Sequence, residues 1–337
     1  MWNKQTEQLN WPERARQQLA YGLARSTVTT YNGVLTKLQD FCEKRHVQFP
    51  PQESKDVAQF LCELADKSTA PRSQIKVASA ALTHVYNSYG YVNLLGDYHI
   101  QLLINALIKA GTQVSMQRSK VMPIGPFREL FKHWPCNAEL GVKELRLKTI
   151  TLMALLLMLR PSDIAPKAVH FDGNSATASQ FVFSTSHIKF CDGGANITFH
   201  GIKNDTSRSG FSVFLQPTED DRLNPVLVLQ EYIARTNNHR PDSNPVFLSL
   251  TSPYKAIAAG TVATVLNDAI KLAGLEGHGY SAKSFRPTGA TAAIDMKCDP
   301  DIAMQLGRWK TRSVFFDHYV HSKPPASLST DIMEVHQ

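Results

Sequence analysis

The feature that most constrains the fold is a segment without hydrophobic periodicity, residues 112–126, which separates two parts of the chain with different patterns. Two prolines and the lack of regular apolar spacing predict that this segment is a linker. Before it, apolar residues repeat at helical spacing in four short stretches, three of them ended by Pro71, Gly90 and Gly111. The sequence therefore predicts a small all-helical domain over residues 1–111.

The part of the chain after the linker, residues 127–337, combines two patterns. Two helical stretches come first, and four short β-like runs follow between residues 180 and 215, with a glycine turn after Asp192. From Pro225 onwards the helical spacing returns and continues to about Tyr319. We therefore predict an α+β fold that is mainly α-helical, with a small antiparallel β-sheet confined to the second domain.

Composition narrows the classes of protein to which the chain can belong. A chain of 337 residues with 43% hydrophobic and 19% charged residues is typical of a globular protein with two cores. No apolar run is long enough to cross a bilayer, so we expect no membrane association. The five cysteines are scattered and form no C-x-x-C pair, which argues against a zinc site or a disulfide framework and favours a reducing compartment.

The first candidate for chemistry is Arg160, which directly follows a strongly apolar helical stretch and has Asp163 three residues on. An arginine at the edge of a core needs a partner, and Asp163 can hold it while other donors stay free for a phosphate. A surface arginine that ends a helix gives the same local pattern. Taken alone, that second interpretation is favoured.

Two lysines and an arginine form the next candidates. Lys203 follows a strand-like run and lies in a predicted turn, where it can deliver a proton to a neighbouring groove, although most hairpin lysines are merely solvated. Lys283 and Arg286 lie three residues apart at a predicted helix start, with Pro287 suited to the first turn. Two cations beside the positive end of a helix dipole are unfavourable unless an anion lies between them, so this pair predicts a phosphate site.

The last candidates are two aromatic residues, Trp309 and Tyr319. Each alone is more often structural: Trp309 as a core or lid residue, and Tyr319 as a buried tyrosine with a satisfied hydroxyl. The order of all the candidates is more informative than any single one. Along the chain they run Arg160, Lys203, Lys283, Arg286, Trp309 and Tyr319.

This order resembles that of the tyrosine recombinase (phage integrase) family, in which His-x-x-Arg and Leu-Gly-His/Trp precede a tyrosine. The resemblance covers nearly the whole chain, because residues 20–110, with Ser26-Thr-Val-x-x-Tyr31 near their start, resemble the helical SAM-like core-binding domain of that family. It implies a core-binding domain, a linker, and a catalytic domain with a C-terminal tail. The phrases Leu-Arg-Pro-Ser-Asp-Ile, Phe-Arg-x-x-Gly-Ala-Thr-Ala-Ala and Leu-Gly-Arg-Trp-Lys look closest to the DIRS and Crypton recombinases of eukaryotic mobile elements.

Two departures from the family pattern affect the predicted site. Lys283 stands where the family usually has a histidine, and the segment from Gly307 to Tyr319 is slightly longer than usual. Because of that length, either Arg308 or Trp309 can fill the His/Trp position; Trp309 is preferred because it restores the expected spacing to the tyrosine. The departures favour one alternative, a catalytically inactive relative that only binds DNA as a regulator or a domesticated element.

The resemblance implies the role of each residue around one DNA phosphate. The hydroxyl of Tyr319 attacks the phosphorus and forms a 3′-phosphotyrosine. Arg160 and Arg286 neutralise the nonbridging oxygens, as a metal ion would otherwise do. Trp309 packs against the phosphate and hydrogen-bonds it. Asp163 is expected to orient Arg160.

The resemblance also implies which residues transfer protons and why the reaction needs no external energy source. Lys203 is the implied general acid for the departing 5′-oxygen, and Lys283 accepts or returns the tyrosine proton. Because the phosphotyrosine conserves the energy of the phosphodiester, no nucleotide, metal or other cofactor is expected, nor any small-molecule substrate.

Double-stranded DNA is therefore the expected partner, consistent with a net charge of +7. Arg72, Lys76 and Arg308 are further candidates for DNA contacts, although for Arg72 and Lys76 a solvated helix face is an equally good interpretation. The family resemblance implies assembly on DNA as a tetramer. We expect a location inside the cell: the nucleus for a eukaryotic mobile element, and otherwise the cytoplasm or nucleoid.

Two further alternatives remain at this stage. A type IB topoisomerase uses similar Arg, Lys and Tyr chemistry, but the small helical first domain and the Phe-Arg-x-x-Gly-Ala-Thr phrase favour the recombinase. A helical interaction protein without a nucleic-acid role would show no salt-dependent DNA affinity.

Overall fold

The structure is a computed structural model that describes residues 11–15, 22–23, 25–111, 120–165, 167–168, 180–201 and 209–322. The described residues divide into two compact units, one ending at Gly111 and the other beginning at Lys120. Residues 112–119 of the predicted linker lie outside the described ranges, and the predicted domain boundary stays a prediction. None of the described helices is both long and apolar enough to span a membrane.

The first unit packs helices around a single apolar core. Its core residues come from one face of each helix, as the helical spacing of the sequence predicts. Helix ends follow local chemistry, since Asp97 accepts backbone hydrogen bonds that open the last helix and Gly90 closes the one before it in a left-handed conformation. The helices are α1 (Arg25–Arg45), α2 (Ser54–Asp66), α3 (Pro71–Tyr89) and α4 (Tyr98–Ala110).

The second unit is built around one buried helix, α6. Every residue of α6 from Leu145 to Leu155 is buried, because other helices pack against several of its sides. The helices of this unit are α5 (Gly125–His133), α6 (Val142–Leu156), α7 (Pro161–Ile164), α8 (Pro225–Thr236), α9 (Ala259–Leu272), α10 (Phe285–Asp295), α11 (Pro300–Gly307) and α12 (Arg312–His318).

Two small antiparallel sheets accompany these helices. Strands β1 (Lys167–Ala168) and β2 (Gln180–Phe181) form a pair, and the order of the second sheet is β3 (Ile188–Cys191), β4 (Gly194–Phe199) and β5 (Phe211–Leu215). The turn after Asp192 connects β3 to β4 as predicted, with Gly193 at a φ of 82°. The β-like run at residues 180–184 is a strand only at its start, because Ser184 instead makes an isolated bridge with Pro245.

One close approach of two helices positions the later part of the second unit. A Cβ atom added to Gly289 on α10 would overlap the carbonyl oxygen of Leu155 on α6. The small-residue run that begins at Gly289 therefore allows the two backbones to pack against each other. Just after α6 ends, Met158 takes a left-handed conformation with φ 50°, and the chain turns into Arg160 and α7.

Candidate active site

Four of the predicted site residues line a single cavity in the second unit. Its volume is 590 Å³, and it lies between the segment that starts α7, the face of α9 and the start of α10. Residues distant in sequence are thus brought together on one surface. The predicted residues that line it are Arg160, Lys283, Arg286 and Tyr319.

Arg286 lines this cavity from the first turn of α10 and is 3% exposed. Its two Nη atoms donate to the carbonyl oxygens of Met158 and Gly307, which fixes the plane of the guanidinium. Burial, and then the nearby charges of Arg160 and Arg308, lower the pKa of Arg286 to about 9. The side chain therefore remains a cation at neutral pH, with Nε free of any partner among the described residues.

Arg160 enters the cavity from the turn between α6 and α7. Its backbone N–H donates to the Asp163 carboxylate over 2.9 Å, which holds this turn together. The side chain is 25% exposed, and its Nη1 lies 3.9 Å from the nearer Asp163 oxygen, beyond hydrogen-bond distance. The buried Nη1 of Arg160 accordingly has no hydrogen-bond partner within the described part of the chain.

Asp163 makes its shorter side-chain contact with a different arginine. Arg308 Nη2 donates to the Asp163 carboxylate over 3.0 Å, and the two side chains are only 5% and 1% exposed. The predicted role of Asp163 in orienting Arg160 stays a prediction: the carboxylate accepts from the Arg160 backbone N–H, and its shorter contact with an arginine side chain is with Arg308. Burial lowers the pKa of Arg308, and Asp163 opposes that shift.

Arg308 ends α11 in a left-handed conformation with φ 61°, and this turn directs its side chain inward. The guanidinium carbon lies 5.8 Å from the ring centre of Phe199 and 5.5 Å from that of Phe211, both on the three-stranded sheet. The side chain is thus buried between Asp163 and these rings, and its predicted contact with DNA stays a prediction.

Trp309, the next residue, faces the cavity residues. Its ring covers Gly307 so closely that a Cβ atom at Gly307 would overlap it. The guanidinium of Arg286 lies 4.0 Å from the ring centre, a cation–π contact. Of the two candidates for the His/Trp position, Trp309 thus lies beside the predicted phosphate ligand, and its buried Nε1 has no partner among the described residues.

Tyr319 follows directly on α12 and completes the group. Its ring centre is 4.8 Å from that of Trp309 and 5.3 Å from the guanidinium carbon of Arg286. Tyr319 also lines the same cavity as Arg160. A phenol and two arginines therefore line one cavity, and the indole of Trp309 packs against the phenol and one of the arginines. The four positions span 160 residues of sequence from Arg160 to Tyr319, counted inclusively.

Unpaired donors concentrate around this space. Buried polar atoms in folded proteins nearly always have a hydrogen-bond partner, so a group of exceptions indicates a candidate binding site. Among the described residues, Arg160, Arg286 and Arg308 carry three positive charges here and Asp163 is their carboxylate neighbour, so this group of side chains favours an anion. The buried donors without a partner here, within the described ranges, are Arg160 Nη1, Arg286 Nε, Arg308 Nε and Nη1, and Trp309 Nε1.

Comparison with known proteins identifies the architecture. No family model and no curated protein matches the chain. Among solved structures, the XerH site-specific recombinase bound to palindromic difH substrate is similar over 96% of this chain and 83% of that chain, with a TM-score of 0.61 and 13% identity. The Tn1549 transposon integrase in complex with transposon right end DNA is similar over 96% of this chain and 98% of that chain, with a TM-score of 0.57 and 10% identity.

A lambda integrase dimer bound to a COC′ core site is similar as well, over 88% of this chain and 89% of that chain, with a TM-score of 0.53 and 15% identity. The chain has the tyrosine recombinase fold. Its mainly helical α+β class, with a small antiparallel sheet, is confirmed. The neighbours are phage, transposon and Xer recombinases, and they give no support to the narrower DIRS or Crypton assignment.

The remaining predicted residues lie elsewhere or outside the described ranges. Lys203 is outside them, so nothing in the structure bears on its predicted role. Lys283 lines the cavity and its side chain is exposed. Arg72 and Lys76 lie on α3 of the first unit, where Arg72 is half-buried and Lys76 is exposed. Among the described residues, no group of His, Cys, Asp or Glu side chains could hold a metal ion.

Sequence reasoning missed one residue that contacts the backbone of Tyr319. Thr291 on α10 hydrogen-bonds the carbonyl oxygen of Tyr319 and the N–H of His321. The small-residue run that contains Thr291 is typical of close helix packing and does not indicate a partner for a hydroxyl. A buried threonine within an alanine run was the available signal, because its hydroxyl needs a partner, but that signal does not say which partner.

Proposed function

We propose that this chain is a site-specific DNA recombinase that cuts and rejoins DNA strands through a covalent bond between Tyr319 and a 3′-phosphate. The observation that supports this most directly is the meeting of the Tyr319 ring, Arg160 and Arg286 in one cavity with unpaired buried donors. Such a site fits a tetrahedral anion that carries an ester bond, and a phenol beside it can act as a nucleophile.

The proposed reaction exchanges one phosphodiester for another. The oxygen of Tyr319 bonds to phosphorus, the bond from phosphorus to the 5′-oxygen breaks, the phenol loses its proton and the 5′-oxygen gains one. Arg160 and the unpaired Nε of Arg286 stabilise the charge that develops on the nonbridging oxygens. Lys203 is proposed to protonate the 5′-oxygen, and Lys283, exposed in the cavity wall, to take up the phenol proton. Rejoining reverses each step.

Trp309 supports this reaction in two ways. Its ring stacks against the Arg286 guanidinium, which restricts that side chain to the orientation set by the Met158 and Gly307 carbonyls. Its unpaired Nε1 is a neutral donor that can reach the phosphate. Both features depend on Gly307, because any side chain there would displace the ring.

Double-stranded DNA is the proposed substrate and partner. The solved neighbours were crystallised with DNA, and the +7 charge of the chain suits a polyanion. Arg72 and Lys76 are proposed as backbone contacts from the first unit. Assembly as a tetramer on DNA, membership of a eukaryotic mobile element of the DIRS or Crypton type, and a nuclear location in that case are finer proposals that rest on the sequence phrases alone.

The test is formation of a protein–DNA adduct. A pool of nicked duplexes with a random central sequence is incubated with the protein, and complexes that survive SDS are isolated, sequenced and mapped by mass spectrometry. Wild type is expected to give an adduct on Tyr319, and Tyr319→Phe none. Tyr254→Phe, a half-buried tyrosine of the same unit stacked on His239, is the matched control and keeps the activity.

An inactive DNA-binding relative is the second candidate. It is favoured by Lys283 in place of the usual histidine, and by the Arg286 Nη atoms, which already donate to chain carbonyls. Salt-dependent DNA binding without any adduct in the whole pool would establish this alternative. Relaxation of supercoiled plasmid without site preference would instead indicate topoisomerase chemistry.

A further inference from the structure

A single hydroxyl group holds the backbone on both sides of Val320. Thr291 Oγ1 donates to the carbonyl oxygen of Tyr319 over 3.2 Å and accepts from the N–H of His321 over 3.0 Å. Thr291 is 5% exposed, so water does not compete freely for either bond. Both functions of the hydroxyl, donor and acceptor, are therefore used on the chain that carries the phenol.

The Thr291 contact lies just beyond the end of α12, where regular helical hydrogen bonding stops. The N–H groups of Tyr319 and Val320 both donate to the carbonyl oxygen of Phe315, at 3.0 and 3.2 Å, and regular helix has already ended at His318. Beyond these bonds, the Tyr319 carbonyl oxygen and the His321 N–H are bonded to Thr291. Removing its hydroxyl would free the Tyr319 carbonyl and the His321 amide together.

The same helix carries the proposed phosphate ligand. Arg286 lies in the first turn of α10 and Thr291 lies five residues further along that helix. A helix is stiff over so short a distance, so α10 sets the spacing between the Arg286 guanidinium and the backbone of Tyr319. The close packing of Gly289, between them in sequence, against Leu155 keeps α10 in place.

We propose that Thr291 is a positioning residue that aims the Tyr319 hydroxyl at the phosphorus held by Arg286. Thr291 acts on the backbone of Tyr319 and does not touch the reacting atoms. The proposal rests on the proposed function for its catalytic consequence, but its structural part concerns only the conformation of Tyr319. Misplacement of a reacting group by about 1 Å can cost on the order of 100-fold in rate, so two lost hydrogen bonds here are expected to matter.

Three variants separate positioning from stability. Thr291→Val has the same shape without the hydroxyl, and Thr291→Ser keeps the hydroxyl. Thr288→Val is the matched control, because Thr288 is also buried on α10 and its hydroxyl accepts from the Met122 N–H over 2.9 Å, far in sequence from Tyr319. Thr288→Val should therefore lower thermal stability to a similar extent as Thr291→Val and leave the environment of Tyr319 unchanged.

The first readout needs no DNA. Protein labelled with fluorotyrosine is examined by ¹⁹F NMR, with the Tyr319 signal assigned by its loss in Tyr319→Phe. Wild type, Thr291→Ser and Thr288→Val are expected to give one Tyr319 line at the same shift, and Thr291→Val a shifted, broadened or divided line. A Thr291→Val spectrum identical to wild type would overturn the proposal, whether or not the protein cleaves DNA.

The second readout is the rate of adduct formation on duplexes recovered from the random pool, at saturating DNA. Thr291→Val is expected to be slower by about 10- to 100-fold, with Thr291→Ser and Thr288→Val within about threefold of wild type. A 5′-bridging phosphorothiolate, whose thiol leaves without a proton, should not restore the rate of Thr291→Val. Equal loss in Thr288→Val, or rescue by the phosphorothiolate, would contradict a positioning role. If wild type forms no adduct, the proposed function fails while the NMR result still decides the contact.

Discussion

Substitution of Asp163 by asparagine tests the charge balance of the site. Asp163→Asn keeps the shape and an oxygen that can accept from the Arg160 N–H, but it removes the carboxylate that, among the described residues, forms ion pairs with Arg160 and Arg308. Arg308, whose side chain is 5% exposed, would then be a buried cation without a counter-ion. Breaking a buried ion pair by removing one partner costs about 3–5 kcal/mol, and we expect a loss of this size in the free energy of unfolding.

A double-mutant cycle shows which arginine the carboxylate stabilises. The contact with Arg308 is at 3.0 Å and buried, whereas that with Arg160 is at 3.9 Å and the Arg160 side chain is 25% exposed. We expect a coupling energy of roughly 2–3 kcal/mol between Asp163→Asn and Arg308→Met. Between Asp163→Asn and Arg160→Met it should stay below about 1 kcal/mol, as for partly solvated pairs.

Urea unfolding followed by tryptophan fluorescence measures these energies. Two of the four tryptophans, Trp134 and Trp309, lie in the second unit, so a background of Trp2→Phe with Trp11→Phe confines the signal to that unit. A coupling with Arg160 as large as that with Arg308 would refute the reasoning, because the carboxylate would then serve the arginine it was first predicted to orient.

Two further predictions concern packing and pH. Gly307→Ala should displace Trp309 and remove its contacts to Arg286, Phe315 and Tyr319. We expect a loss of about 2–4 kcal/mol in the free energy of unfolding, measured by urea unfolding. Gly260→Ala on α9, where an added Cβ meets nothing within 4 Å, is the neutral control. Burial, and then Arg222, lower the pKa of the fully buried Lys148 to about 8. Since the unfolded lysine titrates near 10.4, the unfolded chain binds more protons between these values and stability should rise with pH from about 8 to about 10.4. In Lys148→Met, the urea midpoint should rise less between pH values of about 8 and about 10.4 than it does in wild type. If the urea midpoints of the two proteins depend on pH with the same slope, Lys148 is not the cause of the rise.

Local patterns in the sequence predicted the elements of the fold well. Apolar residues at helical spacing placed the helices of the first unit, and the apolar run before Arg160 placed the central helix α6. The β-like run at residues 180–184 was predicted too long, since its end is decided by a bridge to Pro245, a partner about sixty residues away in the chain. Contacts between residues so far apart in the chain cannot be recognised from the periodicity of apolar residues.

The sequence indicated several residues of the candidate site, but it did not indicate which of their side chains contact each other. The order of the cations, Trp309 and Tyr319 came from the family resemblance, and four of those residues line the cavity. The ion pair of Asp163 with Arg308 joins residues 145 positions apart and depends on the left-handed turn at Arg308, which the sequence does not indicate in a residue other than glycine or asparagine. The Thr291 contact with Tyr319, 28 positions apart, was hidden for the same reason.

The contact of Gly289 with the Leu155 carbonyl divides the site into a part that can adapt and a part that cannot. Where backbone packs directly against backbone, no side chain can repack, so the distance between the turn that carries Arg160 and the helix that carries Arg286 is expected to stay constant. Under the proposed function, this distance matches the two arginines to one phosphate. In directed evolution toward new DNA sites, substitutions should therefore accumulate in the first unit and in exposed segments. The contact between α6 and α10 at Leu155 and Gly289 should stay unaltered.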